Sequence, residues 1–502
     1  MVTDNDPFAV ALDAEGLRLH SVRGSFATVL SQCAKLAIQI GSQVILARLL
    51  FPAEFGLIAM VYPVAMFLQV FNDIGLGQAV VQRPTLVREQ VSALFWANIA
   101  VSLVLMLVVI SLAPLAAWVY GEPRLILLTI VAGLFLPFNA ISIVPSALLA
   151  RRMQFGQIAR NEVAAIATGA IVTIICARQG FSYWSLVIGQ FASTLTTITL
   201  AWLASGWQPG RPRLSLSAWN DVKFGTNITL SNLATFATTS GDNIIVGLTA
   251  GKVPLGLYDR SYNLVVRPIG QMMMPLSRVA LPLLSRLVDK PDEYRATYLQ
   301  IFRIATLLIV PAMLVCTSDG ATIIRVLLGP HWTEAAPVFS WLCVGGLTSG
   351  IYTSTFWLLI SQDRSQELRT FTAIAAAINV TSYLIGSFWG VVGIAMAASL
   401  SFVFVSTPLL LFAALRRGPI RFGDVAGCAI PFILETILIY AVLRYGLDRL
   451  PLQGFSRIAA GVLISYGLFV GIASISADNR RLLQAGARAL KGLLPARARL
   501  NS

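Results

Sequence analysis

Long apolar runs separated by short polar stretches cover the chain from residue 24 onward. Each run has roughly the 20 residues that a helix needs to cross a hydrocarbon core about 30 Å thick, and about 14 such runs are present. Because the runs are continuous, and because an open sheet edge cannot be satisfied in lipid, the pattern predicts an all-α polytopic membrane protein. The predicted spans are residues 24–47, 54–75, 91–118, 125–149, 161–178, 184–205, 224–249, 255–285, 299–318, 335–360, 369–388, 391–415, 425–444 and 456–476.

The composition supports a membrane protein and excludes several other classes. Of the 502 residues, 56% are hydrophobic and 12% are charged, and the mean hydropathy is +0.75. A secreted, nucleic-acid-binding or disordered chain needs more polar residues than this. The five cysteines stand singly in apolar stretches, and His20 and His331 are far apart. The sequence therefore predicts no metal site, no disulfide framework and no cofactor.

Positive charge is unevenly distributed between alternate loops. The chain has 37 Lys and Arg against 23 Asp and Glu, a net charge of +14. Loops on one side carry about a three-to-one excess of Lys and Arg, and the positive-inside rule places that side, with both termini, in the cytoplasm. The predicted cytoplasmic loops include residues 151–160, 211–223 and 286–297, and the loops predicted on the opposite side include residues 119–124, 250–254 and 319–334.

A weak internal repeat at a spacing of about 200 residues divides the chain into two halves. Phe55-Gly56-Leu57 matches Leu255-Gly256-Leu257, and Val119-Tyr120-Gly121 loosely matches Leu327-Leu328-Gly329. An even number of spans per repeat predicts two six-helix lobes related by an axis along the membrane normal. Chance resemblance between apolar helices is the alternative. The predicted organisation is a lead-in at 1–23, lobes at 24–205 and 224–415 with a linker at 206–223, two extra spans at 424–476 and a basic amphipathic tail at 477–502.

The first span carries a polar face. Thr28, Gln32, Lys35, Gln39 and Ser42 are three or four residues apart, which places them on one side of a helix with Lys35 near mid-membrane. An ionisable side chain at the bilayer centre costs about 2.5–3.5 kcal/mol on insertion scales and is kept out of lipid. We predict that Lys35, with Gln32 and Gln39, faces an aqueous cavity. Hydrogen bonding between closely packed helices is the alternative, mainly for the Ser and Thr members.

The eighth span carries three arginines. Arg260, Arg267 and Arg278 are separated by roughly two and three helical turns, so they share one face over about 27 Å of helix rise. We predict that this face lines the path of an anionic substrate, together with Lys35. Alternatively, Arg260 and Arg278 extend to opposite membrane interfaces, which leaves Arg267 as the strongest candidate.

Few carboxylates lie within the predicted spans. Asp73 and Asp242 are the candidates for a proton or Na⁺ coupling site. Asp259 adjoins Arg260 and is a candidate to neutralise it, and Glu162 is the remaining carboxylate at membrane depth. No nucleotide-binding, metalloprotease or nucleophile-elbow motif is present, and the loops between spans are short, so the sequence predicts a transporter and not an enzyme.

Several ordered motifs resemble one family of membrane transporters. They resemble the Wzx-like polysaccharide-exporter branch of the multidrug/oligosaccharidyl-lipid/polysaccharide exporter superfamily. The resemblance covers about residues 24–300 and is specific to the family more than to any substrate. It lies in GLGQA at 75–79, LFW at 94–96, YGEPR at 120–124, VPSALLARRMQF at 144–155, GLYDRSY at 256–262 and PLSRVALP at 275–282.

The resemblance implies a V-shaped, two-lobed flippase of the bacterial inner membrane. Its implied substrate is an undecaprenyl-diphosphate-linked oligosaccharide repeat unit, moved to the periplasmic leaflet by alternating access for exopolysaccharide or lipopolysaccharide biosynthesis. Membrane lipids, a polysaccharide polymerase and the export machinery are the further partners implied, and no nucleic acid. Moving about two negative charges outward across an inside-negative membrane is favourable by roughly 4.6 kcal/mol per 100 mV.

Three alternatives belong to other functional classes. A multidrug exporter of the same fold is one, although cationic drugs call for carboxylates where this cavity is predicted to hold Lys and Arg. A membrane polysaccharide polymerase or glycosyltransferase should show a sizeable periplasmic loop with catalytic residues. A structural scaffold has no reason to keep charges at mid-membrane.

Overall fold

The computed structural model describes residues 14–72, 88–211, 240–449 and 451–474. In these ranges the backbone forms helices joined by short turns, with no strand among them, so the predicted all-α class is confirmed. The helices are α1 (Ala14–Leu49), α2 (Pro52–Asn72), α3 (Arg88–Tyr120), α4 (Arg124–Arg151), α5 (Phe155–Arg178), α6 (Trp184–Ser205), α7 (240–250), α8 (Lys252–Arg286), α9 (Pro291–Ser318), α10 (Gly320–Leu327), α11 (Ala335–Gly346), α12 (Ser349–Ser361), α13 (Ser365–Gly386), α14 (Gly390–Ser401), α15 (Thr407–Leu415), α16 (Phe422–Gly446) and α17 (Gly454–Ala473).

Most of these helices are rich in apolar residues. Within the described ranges, nine helical segments are long and apolar enough to cross a membrane. The chain is therefore a multi-pass membrane protein, and the total of about 14 spans stays a prediction. α8 has 35 residues but is not among the nine, because charged residues and three prolines interrupt its apolar sequence.

The first helix is longer than the apolar run that predicted it. α1 begins at Ala14 and not at residue 24. The residues before 24 are largely polar, and a helix needs apolar side chains only where it meets lipid or a core. The predicted tail at 477–502 lies outside the described residues.

The chain divides into two compact units, and α8 contributes to both. The division falls between Leu264 and Val265, inside this one continuous helix. Of the described residues, unit 1 comprises those up to 264 together with 328–334 and 380–394, and unit 2 comprises 265–327, 335–379 and those from 395 onward. The predicted six-helix lobes stay a prediction.

Small residues bring two helices of unit 1 into close contact. α5 and α6 cross where Gly169 faces Gly189. A Cβ atom at Gly189 would lie 1.7 Å from the Thr173 Oγ1 atom and 2.8 Å from the Gly169 carbonyl oxygen. Such close backbone approach is typical of helix packing in membranes.

In unit 2 the two extra helices lie along α9. Arg295 of α9 pairs with Asp424, which stands in the first turn of α16. Near the other end of α9, Arg457 Nε of α17 donates to Asp319 Oδ2 at 2.9 Å. Between these ion pairs, the Ser465 hydroxyl of α17 donates to the carbonyl of Pro311 at 2.9 Å. The extension therefore contacts α9 at both ends and in the middle.

Candidate functional site

Lys35 of α1 is paired with a carboxylate of α5. Its Nζ atom donates a hydrogen bond to Glu162 Oε2. The Lys35 side chain is 10% exposed, whereas the Glu162 side chain is 50% exposed. The cation is therefore the buried member of the pair, and its carboxylate partner is open on one side.

Polar side chains accompany this pair on both helices. On α1, Gln32 and Gln39 are half-buried, and α1 packs against α5. On α5, Gln157 Nε2 donates to Asn161 Oδ1 at 3.2 Å, directly beside Glu162 in the sequence. The sequence pattern indicates both charges at membrane depth but not their pairing, because the two residues are 127 positions apart.

Arg260 is held by neighbours within unit 1. Its Nη2 atom lies 2.6 Å from Asp259 Oδ2, and its side chain is 18% exposed. Its guanidinium carbon lies 4.5 Å from the centre of the Phe55 ring. The sequence anticipated the contact with Asp259, but the stacking on Phe55 depends on how α2 and α8 pack.

Arg267 and Arg278 belong to unit 2. Both lie on the unit 2 part of α8, and both are exposed. The Arg278 Nη2 atom lies 3.6 Å from the sulfur of Met274, one helical turn earlier. Their role in binding an anion stays a prediction.

Asp242 is buried in unit 1 and connects α7 to α8. The Tyr258 hydroxyl donates to Asp242 Oδ2 at 2.9 Å, and the backbone N–H of Asn243 donates to Asp242 Oδ1 at 2.8 Å. Asp73, the other candidate for ion coupling, lies outside the described residues. In the part of the chain that the structure describes, no three His, Cys, Asp or Glu side chains come together as metal ligands.

The corner between α1 and α2 packs against the corner between α7 and α8 through two glycines. A Cβ atom at Gly56 would lie 1.7 Å from the carbonyl oxygen of Lys252. A Cβ atom at Gly256 would lie 1.9 Å from the carbonyl oxygen of Pro52. In the sequence repeat, residue 52 matches residue 252 and residue 56 matches residue 256, so each of the two contacts is the counterpart of the other. A local two-fold axis relates two contacts in this way. Only glycine allows backbones to approach so closely.

Two loops extend this reciprocal contact. A Cβ atom at Gly247 would lie 2.8 Å from Cε1 of Tyr120, so the end of α3 packs on α7. The indole Nε1 of Trp332 donates to the Ala47 carbonyl at 2.7 Å, so the loop after α10 packs on α1. Ala47 and Gly247 are matching positions of the repeat, and each loop therefore packs on the corner of the other half. The corner cluster consists of residues 47–56, 120–122, 247–260 and 329–332.

The corner cluster contains an ion pair in which the glutamate, and not the lysine, is the less exposed partner. Lys252 Nζ lies 2.6 Å from Glu122 Oε2, and Arg124 Nε lies 3.7 Å from Glu122 Oε1. The Lys252 side chain is 36% exposed and the Glu122 side chain is 15% exposed. Here the carboxylate is the buried member.

A known protein family matches the sequence over more than half of its length. The family described as polysaccharide biosynthesis protein matches residues 45–337. That stretch contains Glu162, the whole corner cluster and the whole of α8.

Two relatives are similar to most of the chain. The succinoglycan biosynthesis transport protein ExoT of Rhizobium meliloti is 25% identical over 469 residues, which cover 84% of this chain and 93% of the relative. The lipopolysaccharide biosynthesis protein WzxC of Escherichia coli is 21% identical over 400 residues, which cover 78% of this chain and 79% of the relative.

The fold is similar to that of a solved transporter. The lipid II flippase MurJ in an inward closed conformation superposes with a TM-score of 0.73 at 15% identity. The match covers 90% of this chain and 98% of MurJ. At this identity the likeness concerns the fold alone, and the family that the motifs indicated is confirmed by the match to the polysaccharide biosynthesis family.

Proposed function

We propose that this chain, which belongs to the polysaccharide biosynthesis protein family, is a flippase for lipid-linked oligosaccharides. It moves an oligosaccharide carried on undecaprenyl diphosphate from the cytoplasmic to the periplasmic leaflet of the bacterial inner membrane. The similar ExoT protein is named for transport in succinoglycan biosynthesis, and WzxC for lipopolysaccharide biosynthesis. The name of ExoT supports a transporter over an enzyme, and both names support a role in polysaccharide biosynthesis.

The observation that carries the proposal is the cationic character of two long helices in a chain of apolar ones. α1 holds the buried Lys35, and α8 holds four arginines, among them Arg260, Arg267 and Arg278, and is not among the nine apolar segments. Charges at membrane depth are kept where they serve a polar substrate path. A diphosphate is multiply anionic and accepts strong hydrogen bonds from Arg and Lys, while its polyprenyl tail stays in lipid.

The proposed path uses the residues that the sequence indicated. Arg278 lies nearest the cytoplasmic side, Arg267 near mid-membrane and Arg260 towards the periplasm, with both termini cytoplasmic. Lys35, Gln32 and Gln39 of α1 complete the head-group site. In this orientation the corner cluster lies at the periplasmic end of the path. Its contacts must break before the head group leaves, and the contact between Arg260 and Phe55 breaks with them.

Ion coupling is a further part of the proposal. Asp242 is buried and accepts a hydrogen bond from Tyr258, so a change in its charge alters a contact between α7 and α8. Asp73 is the second candidate for ion coupling.

A polysaccharide polymerase and the export machinery are the proposed partners that receive the repeat unit.

The test is export in a strain that lacks the gene. Arg267→Ala or Lys35→Ala should lower exported polysaccharide about tenfold or more, since a charged hydrogen bond to phosphate contributes about 1.5–3 kcal/mol. Arg267→Lys should retain part of the activity, because an ammonium keeps the charge but loses the bidentate geometry. Arg286→Ala, at the end of the same helix, is the matched control and should export normally.

The location of the lipid-linked oligosaccharide separates the alternatives. A flippase defect leaves the repeat units in the cytoplasmic leaflet. Unpolymerised units in the periplasmic leaflet would indicate a polymerase instead. Normal export by well-expressed Arg267→Ala and Lys35→Ala proteins would contradict the anion path.

A further inference from the structure

We propose that Glu162 is an internal competitor for the diphosphate at Lys35, and that this competition selects diphosphates over singly charged phosphate lipids. This inference rests on the proposed function, because it assigns a specificity-determining role within the same site. It starts from the ion pair between α1 and α5, in which Lys35 Nζ donates to Glu162 Oε2.

The two members of the pair differ in how easily each can leave it. Lys35 is 10% exposed, so an ammonium without an anionic partner there is strongly disfavoured. Glu162 is 50% exposed, so protein does not enclose its carboxylate on all sides and the side chain has room to turn away from Lys35. Lys35 therefore needs an anion at all times, but that anion need not be Glu162.

The surroundings of Glu162 are polar on its own helix. Asn161 and Gln157 are hydrogen-bonded to each other, and Arg160 Nη2 donates to Gln157 Oε1. Arg160 is exposed and lies two residues before Glu162. Polar side chains therefore occupy the same part of α5 as Glu162.

Competition with a tethered carboxylate raises the threshold for any ligand. Glu162 is held close to Lys35 by the fold, so its effective concentration there is roughly millimolar or higher. A phosphodiester lipid offers one negative charge, as Glu162 does, and gains little by replacing it. A diphosphate offers about two charges and more acceptor oxygens, so it can displace the carboxylate. Abundant membrane phosphodiesters are thereby kept out of the site.

The test uses two lipids that share tail and sugar and differ by one phosphate. They are undecaprenyl diphosphoglucose and undecaprenyl phosphoglucose, titrated against the full-length protein in nanodiscs of zwitterionic lipid. Binding is read by native mass spectrometry. The parent protein should prefer the diphosphate lipid by about tenfold or more.

The variants separate charge competition from simple stabilisation. Glu162→Gln should reduce the preference to less than about threefold, because binding of the monophosphate lipid rises. Glu162→Asp keeps the competing charge and should keep the preference. Lys35→Met with Glu162→Met should bind both lipids more weakly than the parent does and with a smaller preference, which the arginines of α8 still provide. Glu293→Gln, in an exposed pair with Lys290, is the matched control and should behave as the parent does.

Each remaining outcome has a defined meaning. If Glu162→Gln keeps the full preference while the double variant loses it, Glu162 does not compete and the inference is wrong, but the flippase proposal stands. If Glu162→Gln does not fold, a full preference in the double variant overturns the inference. If the parent binds neither lipid better than uncharged undecaprenol, the proposed function itself fails.

Discussion

Unit 1 contains two lysine–glutamate pairs that join distant parts of the chain and differ in which partner is buried. Lys35 and Glu162 are 127 residues apart, and Lys252 and Glu122 are 130 residues apart. In the first pair the lysine is 10% exposed and the glutamate 50% exposed. In the second pair the lysine is 36% exposed and the glutamate 15% exposed.

The difference indicates two distinct roles for the same pair of residue types. The Glu122 side chain is only 15% exposed, and both Lys252 and Arg124 neutralise it. That pair holds the corner cluster together. Lys35 is buried beside polar side chains, and its partner is open, so that pair leaves a cation available for exchange. Both sites contain an ion pair, so the presence of a pair does not distinguish a binding site from a structural contact. The difference is whether the cation or the anion is the buried partner.

The largest effect should come from breaking the backbone packing around the corner pair. Gly56→Ala or Gly256→Ala places a methyl group under 2 Å from a carbonyl oxygen, so α2 and α8 must move apart. We expect a loss of at least about 3 kcal/mol of unfolding free energy, the upper end for overpacking, because the obstacle is backbone. Thermal unfolding in detergent measures this loss.

Gly270→Ala on α8 is the control for this prediction. No atom lies within 4 Å of a Cβ at Gly270, so the variant should be neutral or gain up to about 1 kcal/mol from helix propensity. Equal melting temperatures for Gly256→Ala and Gly270→Ala would show that the glycine contact does not hold the corners together.

An intermediate effect should come from removing the lysine of each pair. Lys252→Met leaves Glu122 buried with only the more distant Arg124, and should lose about 1–2 kcal/mol of unfolding free energy after allowance for the exposed part of Lys252. Lys35→Met leaves Glu162 half-exposed, as it is in the parent, and should lose less than about 0.5 kcal/mol. Export should follow the opposite order, with Lys35→Met the more damaging. A larger stability loss for Lys35→Met would reverse the roles assigned to the two pairs.

The smallest effect on stability should come from replacing the whole Lys35 pair. Lys35→Met with Glu162→Met removes both charges and leaves apolar side chains of similar length, a change that is often neutral or stabilising for a buried pair. We expect the unfolding free energy to stay the same or to rise slightly, with export abolished. The single variant Glu162→Gln, which strands a buried ammonium, should be less stable than the double variant. If the double variant is the less stable of the two, the pair is structural.

Helices were predictable from the sequence because they depend on local pattern. The run predicted at 184–205 has the bounds that α6 shows. α9 begins at Pro291, before the predicted residue 299, because polar residues continue the helix beyond the apolar run. Arg260 and Asp259 are neighbours in the chain, so their pairing was also foreseeable.

The sequence by itself determined the membrane class, the helical elements, the family and the polar positions at membrane depth, since run length, composition and motifs are local properties. It matched Gly56 to Gly256, but only the tertiary structure showed that each meets the backbone of the other's helix. It identified Lys35 and Glu162, but only the packing of α1 on α5 joined them and buried one more than the other. Contacts between residues more than 100 apart depend on which helices become neighbours, and local hydrophobicity carries no information about that choice.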